Sequence, residues 1–213
     1  MKKNGAIDTA IEFAKDICEL MDTGVLPDPD LISYYKLEKE RKLYLDSDVD
    51  ENMLAIHRMI LRWNMEDHGK PVEERKPIWI YIMSYGGDLD YMCMLLNAIE
   101  TSVTPVYTVN IGVAHSAASL LFISGKKRFM GKYSKLLIHE GSAAVSGDAI
   151  KVQDQADNYK KVLKWMKTYI LEHTKIPRNQ LMKRRANDWE LDSEFCLKNG
   201  VCDYLIESLE DII

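Results

Sequence analysis

Two residues in this sequence stand where nucleophilic or acid–base chemistry could be done. Ser116 closes Gly112-Val113-Ala114-His115-Ser116, a turn leading from an apolar strand into a small-residue helix. A serine placed so exposes its hydroxyl at the end of a sheet, the logic of a nucleophile elbow, although the run is not G-x-S-x-G. The same position also suits an ordinary N-cap serine. His139 ends Leu136-Leu137-Ile138, so its imidazole emerges where a core strand stops. An imidazole can take up a proton near neutral pH, and a hydrogen-bonded structural histidine fits the position as well. Gly86-Gly87 follow a strand and Ser84-Tyr85. They free backbone N–H groups to approach an anion or oxyanion near a helix N-terminus, or simply make a tight turn.

Other chemistries find less support. His57, His68, His115 and His173 have no acid–nucleophile pattern around them, and His115 and Ser116 diverge as neighbours at a helix start. Histidines and cysteines lack HExxH or CxxC spacing, so no metal site is read. No G-x-x-x-x-G-K-[ST] occurs, so the chain is expected to need no cofactor and not to hydrolyse ATP itself. Lys183-Arg184-Arg185 reads as a solvated helix end and not a nucleic-acid contact.

The 213 residues are 46% hydrophobic, and 28 Lys+Arg stand against 33 Asp+Glu, a net charge of -5. That balance argues against a general nucleic-acid binder. The length allows a real core without staples. No apolar run reaches the ~18–20 residues of a membrane span, and the start, interrupted by Asp8, Glu12, Lys15 and Asp16, has no signal-peptide h-region. Cys18, Cys93, Cys196 and Cys202 read as reduced, mostly buried thiols in a cytoplasmic setting.

The elements that must position these residues alternate. Residues 6–22 carry apolar positions at helical spacing, and Gly24 with Pro27-Asp28-Pro29 ends that element, so residues 1–34 are expected to be a helical extension and linker. Lys42–Leu45 is a short strand. Asp50 is placed to cap a helix with Met53, Ile56, Met59, Ile60 and Trp63 on one stripe, and Glu66–Lys76 is a polar loop. Pro77–Met83 is a continuous apolar run, as expected of a strand buried on both faces, and a helix follows through Leu89, Met92, Cys93, Leu96 and Ile99. Val103–Ile111 is strand-like, Gly112–His115 a turn and Ser116–Ile123 a helix. Two short strands, a long helix over about 148–172 and a last strand–helix stretch complete an α/β pattern.

From about Arg41 to Glu207 these motifs resemble, in order, those of the Clp protease proteolytic subunit, a serine peptidase family of the ClpP/crotonase fold. Ile80-Tyr81-Ile82-Met83-Ser84-Tyr85-Gly86-Gly87 is similar to the family's strand and Ser-Pro-Gly-Gly. Gly112-Val113-Ala114-His115-Ser116 is similar to its Gly-x-Ala-x-Ser, and Leu137-Ile138-His139 to its Met-Ile-His. Gly141–Gly147 resembles the following glycine-rich segment. Counting back from Gly200-Val201-Cys202-Asp203 puts the family's catalytic aspartate on Asp188, with Asp192 a rival. The sequence departs at Tyr85 (proline in the family), at Ala117-Ala118 (Met-Gly), at Glu140-Gly141 (Gln-Pro) and at Trp189 (commonly charged).

The resemblance implies an α/β fold over 35–213 with a handle at about 142–175. It implies a catalytic triad of Ser116, His139 and Asp188, an oxyanion hole from the Gly87 and Ala117 amides, and substrate contacts at Gly86 and Gly141. It implies a homo-oligomer of heptameric rings stacked in pairs through the handle, cutting unfolded polypeptide delivered by a separate ATPase unfoldase. Trp79 and Tyr81 fall where family aromatics line the docking pockets for that partner; strand aromatics are also ordinary core. The alternative is a non-catalytic ring subunit assembling with an active paralogue. A crotonase-type acyl-CoA enzyme shares the fold but has no need of a Ser–His pair.

Overall fold

The computed structural model describes residues 29–184 and 188–213. The chain divides into two units, Met1–Glu40 and Arg41–Ile213, so the second begins several residues after the 34/35 boundary read from the sequence. The described part of the first unit holds helix α1 (Pro29–Lys39). The helix expected over 6–22 lies outside the described residues.

The second unit is built on one sheet. Strands β1 (Lys42–Leu45), β2 (Ile78–Ser84), β3 (Val106–His115), β4 (Lys127–Gly131) and β7 (Tyr204–Ile206) run side by side in that order, all parallel. Strand β5 (Lys135–Ile138) pairs parallel with the far end of β3, and β6 (Trp189–Leu191) pairs antiparallel with β5. Helices α2 (Met53–Glu66), α3 (Leu89–Thr101), α4 (Ala117–Ile123), α5 (Ala149–His173), α6 (Arg178–Arg184) and α7 (Ser193–Lys198) complete the unit.

The apolar runs explain the layering. Successive strand residues point to opposite faces. In β2, Ile78, Ile80 and Ile82 therefore join the main core, while Trp79 and Tyr81 join a second, aromatic cluster on the other face. Helix α2 buries Met53, Ile56, Ile60 and Trp63 at three- and four-residue spacing, and α3 buries Met92, Leu95, Leu96 and Ile99. In the aromatic cluster Tyr81 stacks on Tyr44, and its hydroxyl donates to the Ile212 carbonyl. Burial pushes the Tyr81 phenol up to about 12. Cys196 and Cys202 are buried and free, and burial pushes the Cys202 thiol up to about 12 as well.

Three local expectations change. Gly112–His115 is not a turn but the end of β3. Asn110 pairs with Ile82 and Ala114 with Ser84, so β3 bulges between them and carries on beside β5. The Asn110 amide holds the bulge: its oxygen accepts from Gly112 N–H at 3.1 Å and its nitrogen donates to Lys135 C=O at 2.9 Å. Asp50 does not cap α2. Asn52 stands at the N-cap without a side-chain bond, and Asp50 accepts from the Asn52 N–H instead. The 66–76 loop is not merely polar, because it carries the buried Asp67.

Asp67 accepts from Arg41 through both oxygens, at 2.5 and 3.1 Å, from Lys70 at 2.8 Å and from Thr104 at 2.9 Å. These bonds, the Arg41 bond first, hold its carboxyl far below the usual carboxylate range. The pair ties the start of β1 to the end of α2. Removing one member strands a buried charge. Asp67→Asn should therefore lower unfolding free energy by about 3–5 kcal/mol, read from urea midpoints. A depressed folded pKa contributes stability above the unfolded value of about 4 and loses it as pH falls towards the folded one. The gap between parent and variant should therefore close below about pH 4.

Candidate active site

Ser116 sits at the junction of β3 and α4 with φ 53° and ψ −124°, a left-handed backbone that a non-glycine residue adopts only under constraint. Such a conformation costs on the order of 1–3 kcal/mol. Two contacts hold it. The Ser116 N–H donates to the Leu137 carbonyl of β5 at 3.0 Å, and the Ser116 carbonyl accepts from the Ser119 N–H and hydroxyl at 2.9 and 2.6 Å. The Ser116 hydroxyl caps nothing in α4. It lies 2.7 Å from His139 Nε2.

His139 follows β5 directly, so the strand that accepts the serine N–H also delivers the imidazole. Its Nδ1 lies 3.1 Å from Asp188 Oδ1. Asp188 stands immediately before β6, which pairs with β5 through Ile138 and Trp189. Serine, imidazole and carboxylate thus form one hydrogen-bonded line across three segments joined by sheet pairing. The Asp188 carboxylate is 72% exposed, so water screens its hold on the ring. Asp192 is engaged elsewhere: it caps α7 by accepting from the Phe195 N–H at 2.7 Å.

Gly86 and Gly87 lie against the serine. Gly86 has φ 99°, and a Cβ there would meet His115 O and Ser116 Cβ at 2.7 Å and Ala117 N at 3.0 Å. Gly87 has φ 152°, and a Cβ there would strike the Val49 carbonyl. Val49 fastens the loop by donating to Gly86 O at 2.8 Å and accepting from Asp88 N–H at 2.7 Å. Among the described residues, neither the Gly87 nor the Ala117 amide is taken by these backbone bonds. Asp88 then caps α3, accepting from the Asp90 and Tyr91 amides. Tyr85, at the family's proline position, is exposed and meets the His115 ring edge-on at 5.4 Å between centroids. His115 Nε2 is buried with no hydrogen-bond partner among the described residues, and burial lowers its pKa.

The surroundings bring together residues that the sequence does not place side by side. An apolar cleft beside His139 is lined by Leu163, Met166, Ile170, Leu181 and Trp189, with Arg184 at its edge. Arg185, the last of the basic cluster, lies outside the described residues. Glu140 is paired with Lys167 at 2.5 Å, and its carbonyl accepts from the Tyr159 hydroxyl at 2.6 Å. Gly141 has φ 73° and borders the same tyrosine. Trp79, away from this site, is half-buried between Tyr107 and Phe129. Tyr159 belongs to the apolar pattern of the long helix, but no local pattern marks Lys167 or the contacts of either residue, because these cross from α5 to the residues after β5.

A family model described as Clp protease matches residues 30–209. The chain belongs to the Clp protease family. It shares 30% identity over 139 residues with the ATP-dependent Clp protease proteolytic subunit 2 of Treponema pallidum, covering 64% of this chain and 70% of that protein. Against the ATP-dependent Clp protease proteolytic subunit of Deinococcus radiodurans the identity is 27% over 183 residues, 84% of this chain and 86% of the relative. Against the subunit 2 of Corynebacterium diphtheriae it is 26% over 180 residues, covering 83% and 87%. The mixed α/β architecture, with its mostly parallel sheet, is the Clp protease fold.

Close packing at Gly86 gives a direct test of this arrangement. Gly86→Ala should displace Ser116 and its neighbouring amides, lowering reactivity of the serine towards an acylating or phosphonylating probe by about 10². Leu163→Ala, in the apolar cleft, should leave the intrinsic reactivity within about threefold. Intact-mass time courses read both.

Proposed function

We propose that this Clp-family chain is an active serine endopeptidase that works through Ser116, His139 and Asp188. The observation that carries the proposal is the serine hydroxyl 2.7 Å from His139 Nε2 on a strained backbone that frees it from capping. In the reaction, Ser116 Oγ attacks the scissile carbonyl as His139 Nε2 takes its proton. Negative charge on the carbonyl oxygen is met by the Gly87 and Ala117 N–H groups. The tetrahedral centre collapses, His139 returns the proton to the leaving amine, and water releases the acyl group by the same steps. Asp188 accepts the Nδ1–H bond and stabilises the charged ring. The apolar cleft beside His139 is narrow, and an apolar substrate side chain would have to widen it to bind there.

Assembly and partner follow from family membership and are part of the proposal. A triad with little sequence preference is safe only inside a chamber, which rings of this chain, seven to a ring and stacked in pairs, would enclose. Helix α5 fits the handle between rings: it buries Met166, Tyr169 and Ile170 near its end, while Ile150 in its first turn is 76% exposed. Unfolded polypeptide would arrive from a separate Clp-type ATPase, with Trp79 and Tyr81 near the docking surface. No described helix is long and apolar enough to cross a membrane, and a cytoplasmic setting accords with the free thiols.

A second reading is a ring subunit that keeps the fold and lends it to an active paralogue. It is favoured by the exposed Asp188 and by Tyr85 in the proline position. Hydrolysis of short fluorogenic peptides separates the two. Ser116→Ala and His139→Ala should each abolish turnover by the assembled chain. Asp188→Asn should cost about 10–10², less than the ~10⁴ of a buried triad aspartate. Peptides with Leu or Met at the cleaved carbonyl should outrun those with Asp by at least about tenfold. An assembled parent with no turnover would favour the paralogue reading.

A further inference from the structure

His139 has an exposed partner on one side and a gripped neighbour on the other. Its contact with Asp188 is screened, whereas the next residue, Glu140, is held twice by α5. The Tyr159 hydroxyl donates to the Glu140 carbonyl at 2.6 Å. Lys167 Nζ lies 2.5 Å from Glu140 Oε1 as an ion pair not aligned as a hydrogen bond, so charge attraction alone holds that oxygen among the described residues. Both Glu140 and Lys167 are largely shielded, with side chains 29% and 23% exposed. This pair therefore keeps more of its attraction than the Asp188 contact does. Tyr159 and Lys167 lie two turns apart on one helix face, so the grip fixes the position and the direction of the chain leaving His139. Glu140 and Lys167 also form a common wall between the apolar cleft beside His139 and a second cleft bordered by Lys160, Lys164 and Arg178.

We propose that Glu140, clamped by Lys167 and Tyr159, is a positioning residue that holds His139 at hydrogen-bonding distance from Ser116. The proposal rests on the serine-peptidase reading above. The clamp has consequences for chemistry that a merely structural ion pair lacks. Loosening it lets the imidazole drift from the serine, which slows attack.

The test compares the assembled parent with Lys167→Met, Lys167→Arg, Glu140→Gln and Tyr159→Phe by fluorophosphonate labelling kinetics and by hydrogen exchange of residues 137–143. Lys167→Met keeps an unbranched apolar stem and removes the charge. It should lower the maximal labelling rate about tenfold and should raise exchange at 137–143. Lys167→Arg should restore both to within about threefold. Glu140→Gln combined with Lys167→Met should be no slower than either alone, because the two act as one unit. Parental labelling and parental exchange in Lys167→Met would overturn the clamp and leave the peptidase reading standing. A parent that never labels would remove the peptidase reading and with it the catalytic part of the clamp. Exchange at 137–143 then judges the grip itself.

Discussion

Ser116 can hold its left-handed backbone only because Gly86 has no side chain. The two segments approach so closely that a single methyl group on Gly86 would collide with the serine Cβ and the preceding carbonyl. That approach puts the glycine loop, the serine and the first amide of α4 within one small volume. The strain at Ser116 is carried by the Leu137 carbonyl on one side and Ser119 on the other. Because Leu137 belongs to β5, the bond that steadies the serine also fixes how far away His139 can be. One backbone constraint therefore sets the hydroxyl, the imidazole and the free amides together.

The sheet supplies what this junction needs. Strand β3 is long enough to serve two neighbours, β4 over its first half and β5 over its second, and the Asn110 bulge lets it turn from one to the other. Without the bulge, β5 would lose its pairing with β3, and His139 its fixed distance from Ser116. The edge strand β6 completes the arrangement by setting Asp188 beside the ring. Far from this point, the Arg41–Asp67 pair and the aromatic cluster fasten the opposite end of the sheet. The division leaves the site a place where three segments meet, with the aspartate far more exposed than the histidine it faces.

Much of this could be read in the sequence because its signals are local. The apolar run of β2 followed by Gly86-Gly87, and Ser116 before a small-residue helix, state strand, turn and helix in adjacent residues. Their weakness is ambiguity: taken alone, Ser116 reads as a capping serine, and its distance to His139 is what separates the readings. Asp188 carries no local mark at all; only counting within a family pattern reaches it. Its rival Asp192 differs from it by a helix cap that exists only once α7 is folded. Gly112 misled in the other direction, since a glycine in a strand end reads as a turn unless the bulge beside it is known. The Asp67 and Glu140 pairings were illegible for a common reason: each joins segments far apart in the chain, and polar residues in loops give no sign of being buried.

The central claim is that the Ser116–His139 pair is an activated nucleophile and its base. Fluorophosphonate treatment of the assembled protein, with the modified residue located by peptide mass spectrometry, tests it most directly. The account predicts one adduct per chain, on Ser116, lost in Ser116→Ala and at least about 10²-fold slower in His139→Ala. An adduct on another residue, or an assembled and folded parent that forms none, would contradict it.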